Sequence, residues 1–197
     1  MAFVGMRYVV AAKLKEHTPG QAPVYDEGVV VGRAISADIT YNRATNTLKA
    51  DDVDAESDNS ITGGSITIGV DDIADEVQAA ILAQEVNEAG EYEEINEADP
   101  DIGLGYIRVR RFKGVTSYVA YWIFKAQLGI TSESAATKQD TIQWQTPTLS
   151  GSMMGLQPDA SMKMKFRRRK TFTGDNAEQE AYAWLNELAN IPTQEAA

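Results

Sequence analysis

Carboxylates are the side chains of this sequence that are most available for chemistry, since Asp and Glu together number 29 against 18 Lys and Arg. Two carboxylates at the right separation act as acid and base on a glycosidic bond, but no Asp/Glu pair stands out by its spacing. The chain has no Cys and a single His, His17, in the turn-like KEHTPG. Thiolate nucleophiles, disulfides and multi-histidine metal centres are therefore excluded, and we predict no catalytic residue.

Two short motifs come close to a binding loop and then depart from it. Asp52, Asp54 and Glu56 alternate as in a calcium loop, which also needs Gly at its sixth position and Glu at its twelfth. Ser57 and Gly63 occupy those positions, so only a weak, low-affinity calcium site stays open as an alternative. Gly103-Leu104-Gly105 leads into a predicted strand, whereas a phosphate-binding glycine loop leads into a helix. We interpret it as a flexible loop end, and we predict no metal ion or cofactor.

Charge is distributed unevenly along the chain, whose net charge is −11. Residues 51–101 contain 17 acids and no Lys or Arg, which leaves 18 cations and 12 acids elsewhere, a net of +6. The overall negative charge argues against a sequence-independent nucleic-acid binder. In SMKMKFRRRK, residues 161–170, Lys163, Lys165 and Arg167 alternate with apolar residues. This pattern predicts a basic interface strand that pairs with acids of the same chain or of a neighbour.

Most of the remaining sequence has the period-two pattern of β-strands. In residues 33–42, Ile35, Ala37, Ile39 and Tyr41 alternate with Ser36, Asp38 and Thr40. A turn at Lys113-Gly114 joins two further segments into a hairpin, and Pro147 indicates an edge or a bulge in the last strand. The predicted strands are residues 6–14, 33–42, 47–50, 65–70, 106–112, 117–128 and 141–153. In residues 65–70, the alternation places Ile66, Ile68 and Val70 on one side.

Two helices interrupt the strands. Asp72 is the predicted N-cap of the first, which carries the apolar stripe Ile73, Val77 and Ile81. Asp175 is the predicted N-cap of the second, with Glu178 at the capping-box position; its stripe comprises Ala177, Ala181, Trp184, Leu185 and Leu188. Residues 85–102 show no period and are interpreted as a mobile acidic loop. The economical organisation is one domain over residues 1–197, with an extended loop at 48–64 and a C-terminal helical extension at 171–197.

Four segments, taken in order, resemble the major tail tube proteins of long-tailed, non-contractile bacteriophages. They are AISADITYNRATNTLKADD, GGSITIGVDDI, YVAYWIFKAQLGI and TKQDTIQWQTPTLSGSMM, and the similarity covers most of residues 5–155. The resemblance implies a mainly β fold: a tail-tube-type β-sandwich of two antiparallel sheets with a flanking helix. It also implies a structural protein without enzymatic activity. Its copies form hexameric rings that stack into the tube through which phage DNA is ejected into the host.

The resemblance also suggests where contacts lie. Residues 48–64 become a loop that reaches a neighbouring subunit or ring, and Asp38, on the polar face of its strand, becomes a candidate for the channel wall. The candidate residues of the inter-subunit loop are Asp51, Asp52, Asp54, Glu56 and Asp58. The implied partners are other copies of the chain and the tape measure, terminator, and baseplate or distal tail proteins. DNA passes without specific binding. The implied location is the virion tail, and the host cytoplasm during assembly.

Two alternatives stay open. One is the inner tube of a contractile tail or of a type VI-like secretion apparatus, which shares the fold and is also built from stacked rings. A carbohydrate-binding β-sandwich is suggested by Trp122, Trp144 and Trp184, although Trp122 and Trp144 lie among apolar neighbours that favour core packing. The longest mostly apolar run, residues 118–124, is far short of the roughly 20 residues that a spanning helix requires, so we predict no membrane association.

Overall fold

A computed structural model describes residues 2–50, 53–130 and 146–192. This part of the chain is mainly β, as predicted, with antiparallel sheets and two helices. The elements are β1 (Ala2–Glu16), β2 (Val24–Tyr25), β3 (Val29–Gly32), β4 (Ala34–Arg43), β5 (Asn46–Ala50), β6 (Val53–Asp58), β7 (Ile61–Val70), α1 (Asp75–Ile81), β8 (Gln84–Val86), β9 (Tyr92–Glu94), β10 (Ile102–Phe112), β11 (Val115–Ile130), β12 (Thr148–Met154), β13 (Arg167–Thr173) and α2 (Ala177–Leu188).

Within the described ranges, nine strands form one antiparallel sheet in the order β2-β1-β10-β11-β12-β7-β4, with β3 added to β1 and β13 added to β11. The sheet curls over so that β4 packs against β1. The two layers expected of a sandwich therefore belong to one hydrogen-bonded sheet. β5 with β6 and β8 with β9 form two separate two-stranded ribbons.

Alternation along the central strands supplies two apolar cores, one on each side of the sheet. On β1, Val9 and Ala11 face the core inside the curl, which we call the inner core. Val10 and Ala12 face a second core that α2 covers, which we call the outer core. The inner core also takes the stripe Ile66, Ile68 and Val70 of β7 and the α1 stripe, as predicted. Because both faces of the central strands are covered, their sequence is almost continuously apolar.

Strand β11 pairs with β10 along one edge and with two strands in succession along the other. Its first half pairs with β13 through residues 117–123, and its second half pairs with β12 through residues 125–130. In the pairing with β10, Ile123 lies opposite Leu104 and Ala126 lies opposite Ile102. β11 therefore advances three residues where β10 advances two. This bulge lets odd-numbered residues up to Ile123 and even-numbered residues from Ala126 onward face the same inner core.

The helices begin differently from the prediction. Ala74, not Asp72, is the N-cap of α1, and Asp72 Oδ1 instead accepts a hydrogen bond from the Ile73 N–H. Asn176, not Asp175, precedes α2, and neither helix has a side-chain cap bond. Trp184 and Leu188 are half-buried against the outer core, while the rest of the predicted α2 stripe is fully buried.

Other sequence interpretations are corrected by the pairing of the strands. The region 85–102, expected to be a loop, contains the β8–β9 ribbon and the first residue of β10. Gly103-Leu104-Gly105 is not a loop end but lies inside β10. Pro147 immediately precedes β12, and β12 is an interior strand rather than an edge; residues 141–145 of that predicted strand lie outside the described residues. Ile35 is 53% exposed because a register shift between Ala34 and Ser36 moves it out of the alternation.

Candidate assembly surface

A polar sheet face lies on the side of β4, β7, β12 and the second half of β11 that is turned away from the inner core. Register aligns its side chains in rows across the four strands. One row is Thr40, Ser65, Ser152 and Gln127; the next is Asp38, Thr67, Ser150 and Gly129. We call these residues the hydroxyl face. Its side chains are short and polar, and the predicted polar set of β4 lies on it.

Asp38 is exposed on this face, opposite Thr67 of β7. Lys125, on the same side of β11 as Gln127, has its Nζ 2.6 Å from Asp101 Oδ2, so its charge is paired. Asp99 lies at the border, because a Cβ added to Gly129 would lie 2.8 Å from Asp99 Oδ2. The hydroxyl face and its border therefore carry more negative than positive charge.

Neither lateral edge of the hydroxyl face pairs with a further strand in the described part of the chain. β4 is the last strand of the sheet and pairs only with β7. At the other side, β10 pairs with β11 only as far as Ala126, so 127–130 has no described partner on that side. An open strand edge presents unpaired N–H and C=O groups that a neighbouring strand can complete.

The predicted inter-subunit loop is in large part a ribbon. β5 and β6 pair from Asn46 opposite Asp58 to Ala50 opposite Val53. The ribbon leaves the sheet where β4 ends and β7 begins, and the Ala44 N–H donates to the Ser60 carbonyl at its base (2.8 Å). Asp54, Glu56 and Asp58 belong to β6, whereas Asp51 and Asp52 lie outside the described residues.

The predicted basic strand is only partly a strand. β13 begins at Arg167, and Lys163 lies in an irregular segment. Met162 and Met164 are exposed, so they do not form the expected apolar face. Lys165 pairs with Asp159 of the same copy. Hydrogen bonds from Lys165 and then Ser161 lower the pKa of the Asp159 carboxyl to about 2.

Arg167, the first residue of β13, lies between β4 and β11. Its guanidinium carbon lies 5.2 Å from the ring centre of Tyr41 on β4 and 5.1 Å from that of Tyr121 on β11. Tyr121 in turn stacks on Tyr106 at 5.1 Å. Burial raises the pKa of the Tyr106 phenol to about 12, so it stays neutral. Arg167 therefore covers one end of the inner core by cation–π contacts.

A polar cluster that the sequence did not reveal fastens α2 to the sheet. Glu178 accepts from Arg7 (2.5 Å), from the Tyr118 hydroxyl (2.9 Å) and from the Tyr182 hydroxyl (2.6 Å). The Tyr182 bond, followed by those from Tyr118 and Arg7, lowers the pKa of Glu178 despite some desolvation. Tyr8, held at φ 55° in β1, adds a hydrogen bond from its hydroxyl to Asn186. Only the spacing of Glu178 and Tyr182 on one helix face hinted at this cluster.

The described residues offer little for small-molecule chemistry. They contain no group of three or more His, Asp or Glu side chains placed to hold a metal ion. His17 Nε2 lies 3.2 Å from the Gln157 carbonyl. Trp122 is fully buried, as predicted, and Trp144 lies outside the described residues. Trp184 borders an open cleft of 290 Å³ between β13 and α2, slightly below the range of about 300–1,000 Å³ usual for ligand pockets.

Neither α1 nor α2, the two helices of the described residues, has the length and apolar character that a membrane-spanning helix requires. Comparison with known protein families and with curated proteins finds no match.

Proposed function

We propose that this protein is a structural subunit whose copies join edge to edge into the wall of a tube, the tail tube of a long-tailed phage. The observation that carries the proposal is the hydroxyl face with an open strand edge on each side. The central strands β1 and β10 and the first half of β11 face an apolar core on each side, whereas the hydroxyl face presents polar side chains. Edge pairing between copies would continue the sheet and satisfy the free backbone groups of β4.

The dimensions of such a wall suit a DNA channel. Six copies, the number that the resemblance implies, each contribute four strands spaced about 4.8 Å apart, which gives a circumference of roughly 115 Å before strand tilt widens it. The hydroxyl face would line this channel. Short polar side chains with a slight negative charge repel phosphates, whereas a cationic wall would bind them and hold the DNA.

The same geometry explains how unlike surfaces produce a closed ring. β4 of one copy would pair with the 127–130 edge of the next, which is a heterologous contact and closes when the rotation between copies allows it. The β5–β6 ribbon, projecting from the end of β4, would add a contact to a neighbouring subunit or ring. As a virion component, the protein would be made in the host cytoplasm and then remain in the tail.

Replacement of residues 46–58 by Asn-Gly tests the role of the ribbon. The hydrogen bond from Ala44 to Ser60 closes the base of the ribbon, and Asn-Gly suits a two-residue hairpin, so we expect a folded monomer that no longer polymerises. Negative-stain electron microscopy of the wild type should show rings or tubes, and circular dichroism should show that the variant is a folded, mainly β protein. Wild-type protein that forms neither rings nor tubes, alone or with tail-tip proteins present, would refute the proposed function. Normal tubes from the variant would refute the role of the ribbon alone.

A further inference from the structure

The β8–β9 ribbon carries an exposed apolar pair in an acidic surround. Val86 and Tyr92 are directly opposite each other across the two strands and are 53% and 37% exposed. Residues 84–94 contain five Glu and no cation. Local desolvation, and then the charges of Glu76 and Asp75 in the first turn of α1, raise the pKa of the Tyr92 phenol. The acids of α1 therefore lie near the same pair.

The tip of the β10–β11 hairpin carries the matching pair in a basic surround. Phe112 and Val115 are directly opposite each other and are 43% and 59% exposed. Residues 102–130 contain five cations and no acid, and four of the five lie at 108–113. Exposed Phe3 of β1 extends the apolar surface, with the guanidinium of Arg108 3.6 Å from its ring centre. We call this surface the basic tip.

The ribbon and the basic tip lie at opposite ends of the molecule. The ribbon is anchored beside the last residues of β11, since Leu82, Glu94, Gly129 and Ile130 border one cleft. The basic tip is the other end of β10 and β11. The 11 residues of β10, at about 3.3 Å each, separate the two surfaces by about 35 Å, so they cannot meet within one copy.

Within the described residues, neither surface is neutralised by a side chain of its own copy. No ion pair joins the five Glu of residues 84–94, or the four cations of residues 108–113, to another described side chain. Arg110 Nε is also buried without a described hydrogen-bond partner. Exposed apolar pairs ringed by unlike charge are the features of complementary interface patches.

We propose that the β8–β9 ribbon of one copy docks on the basic tip of the next, so that Val86 and Tyr92 contact Phe112 and Val115 inside a rim of opposite charges. The occupant is a second copy of this chain, since both halves of the contact are present in every copy at opposite ends. A contact between unlike ends propagates head to tail. The inference rests on the proposed function and assigns the longitudinal contact between stacked rings, whereas the open edges provide the lateral one.

Cysteine cross-linking tests the contact without background, because the chain contains no Cys. We would prepare Tyr92→Cys and Val115→Cys separately and oxidise each alone and as a mixture. The mixture should give covalent dimers and each protein alone should not. Val30→Cys, exposed in the middle of the fold, serves as the matched control partner for Tyr92→Cys and should stay monomeric. Equal dimer yields for the Val115 and Val30 partners, or dimers of Tyr92→Cys alone, would overturn the proposal.

Charge reversal separates this inference from the proposed function. Glu91→Lys/Glu94→Lys should lower the rate of tube elongation at least about tenfold at low salt, and Arg111→Glu/Lys113→Glu should do the same. Combining the two pairs in one chain should restore most of the rate. Wild-type tubes together with unaffected single-sided variants would refute the ribbon contact and leave the proposed function intact. Cross-linked dimers of the cysteine variants, combined with a wild-type protein that never forms tubes, would support the ribbon contact and refute the proposed function.

Discussion

Replacement of Gly103 by Ala is the sharpest test of how the outer core is built. Gly103 lies in β10 beneath Trp122 and Tyr25, and a Cβ there would lie 2.4 Å from Trp122 Cζ2 and 2.6 Å from Tyr25 Cε1. Trp122 is fully buried, and Tyr25 is fixed by its hydrogen bond to the Phe124 carbonyl (2.7 Å). Neither ring can move aside without displacing its neighbours.

The expected loss follows from two opposing contributions. Overpacking a rigid core costs about 1–3 kcal/mol, while Ala in place of Gly restricts the unfolded chain and recovers about 0.4–1 kcal/mol. We therefore expect the free energy of unfolding to fall by about 1–2 kcal/mol. For a chain of 197 residues this lowers Tm by about 2–8 °C, at about 2–4 °C per kcal/mol.

Urea unfolding of dilute, monomeric protein measures this loss, with Trp fluorescence reporting on the core. Gly5→Ala is the matched control, since no atom lies within 4 Å of its added Cβ, and it should be neutral or slightly stabilising. Gly105→Ala should cost less than Gly103→Ala, because two of the three nearest atoms are the methyl ends of Val10 and Leu185. Equal stability of Gly103→Ala and Gly5→Ala would refute the close packing of Trp122 on the backbone.

Three further predictions concern charged residues. Glu178→Gln should lower the free energy of unfolding by about 1–2 kcal/mol at neutral pH. Because the pKa of Glu178 is lowered in the folded protein, the difference between variant and wild type should vanish as the pH falls through that folded pKa. Equal urea midpoints at pH 7 would contradict this prediction. Arg167→Met should cost about 0.5–1 kcal/mol in urea unfolding through lost contacts with Tyr41 and Tyr121, and Arg167→Lys should cost less; a larger loss for Lys would be inconsistent with a cation–π contact. Virions carrying Asp38→Lys should release DNA more slowly than Asp38→Asn virions, most strongly at low salt; identical release rates in a dye-uptake assay would remove Asp38 from the channel wall.

Local pattern was enough to predict the strands whose faces differ. Ile66, Ile68 and Val70 alternate with small polar residues, and they pack in the inner core as predicted. Lys113 and Gly114 adopt positive φ, 48° and 81°, and form the hairpin turn that their types indicate. Asp38 lies on the exposed side of β4, as its place in the alternation required.

Features that depend on partners distant in the chain could not be predicted from the sequence. The sequence places Glu178 in a helix cap, because its partners Arg7 and Tyr118 are 171 and 60 residues away and leave no local signal. The sequence indicates a loop at Gly103. The reason for glycine there is that a Cβ would collide with Trp122 on the neighbouring strand, and local sequence does not show that contact. The sequence indicates a loop where the β8–β9 ribbon lies, because a three-residue strand is too short to show a period.

The extra residue in β11 has a consequence for how this chain can change over time. The inward-facing residues are odd-numbered before it and even-numbered after it, because the step from Ile123 to Ala126 is one residue longer than its counterpart on β10. Deletion of one codon between Ile123 and Ala126 would remove the bulge and leave Gln127 and Leu128 on their present sides. Deletion of Gln127 would instead turn Leu128 outward and place an apolar side chain on the hydroxyl face. The bulge is therefore the position at which β11 can become one residue shorter without exposing the inner core, whereas the length of the strand beyond it is fixed by the faces of its side chains.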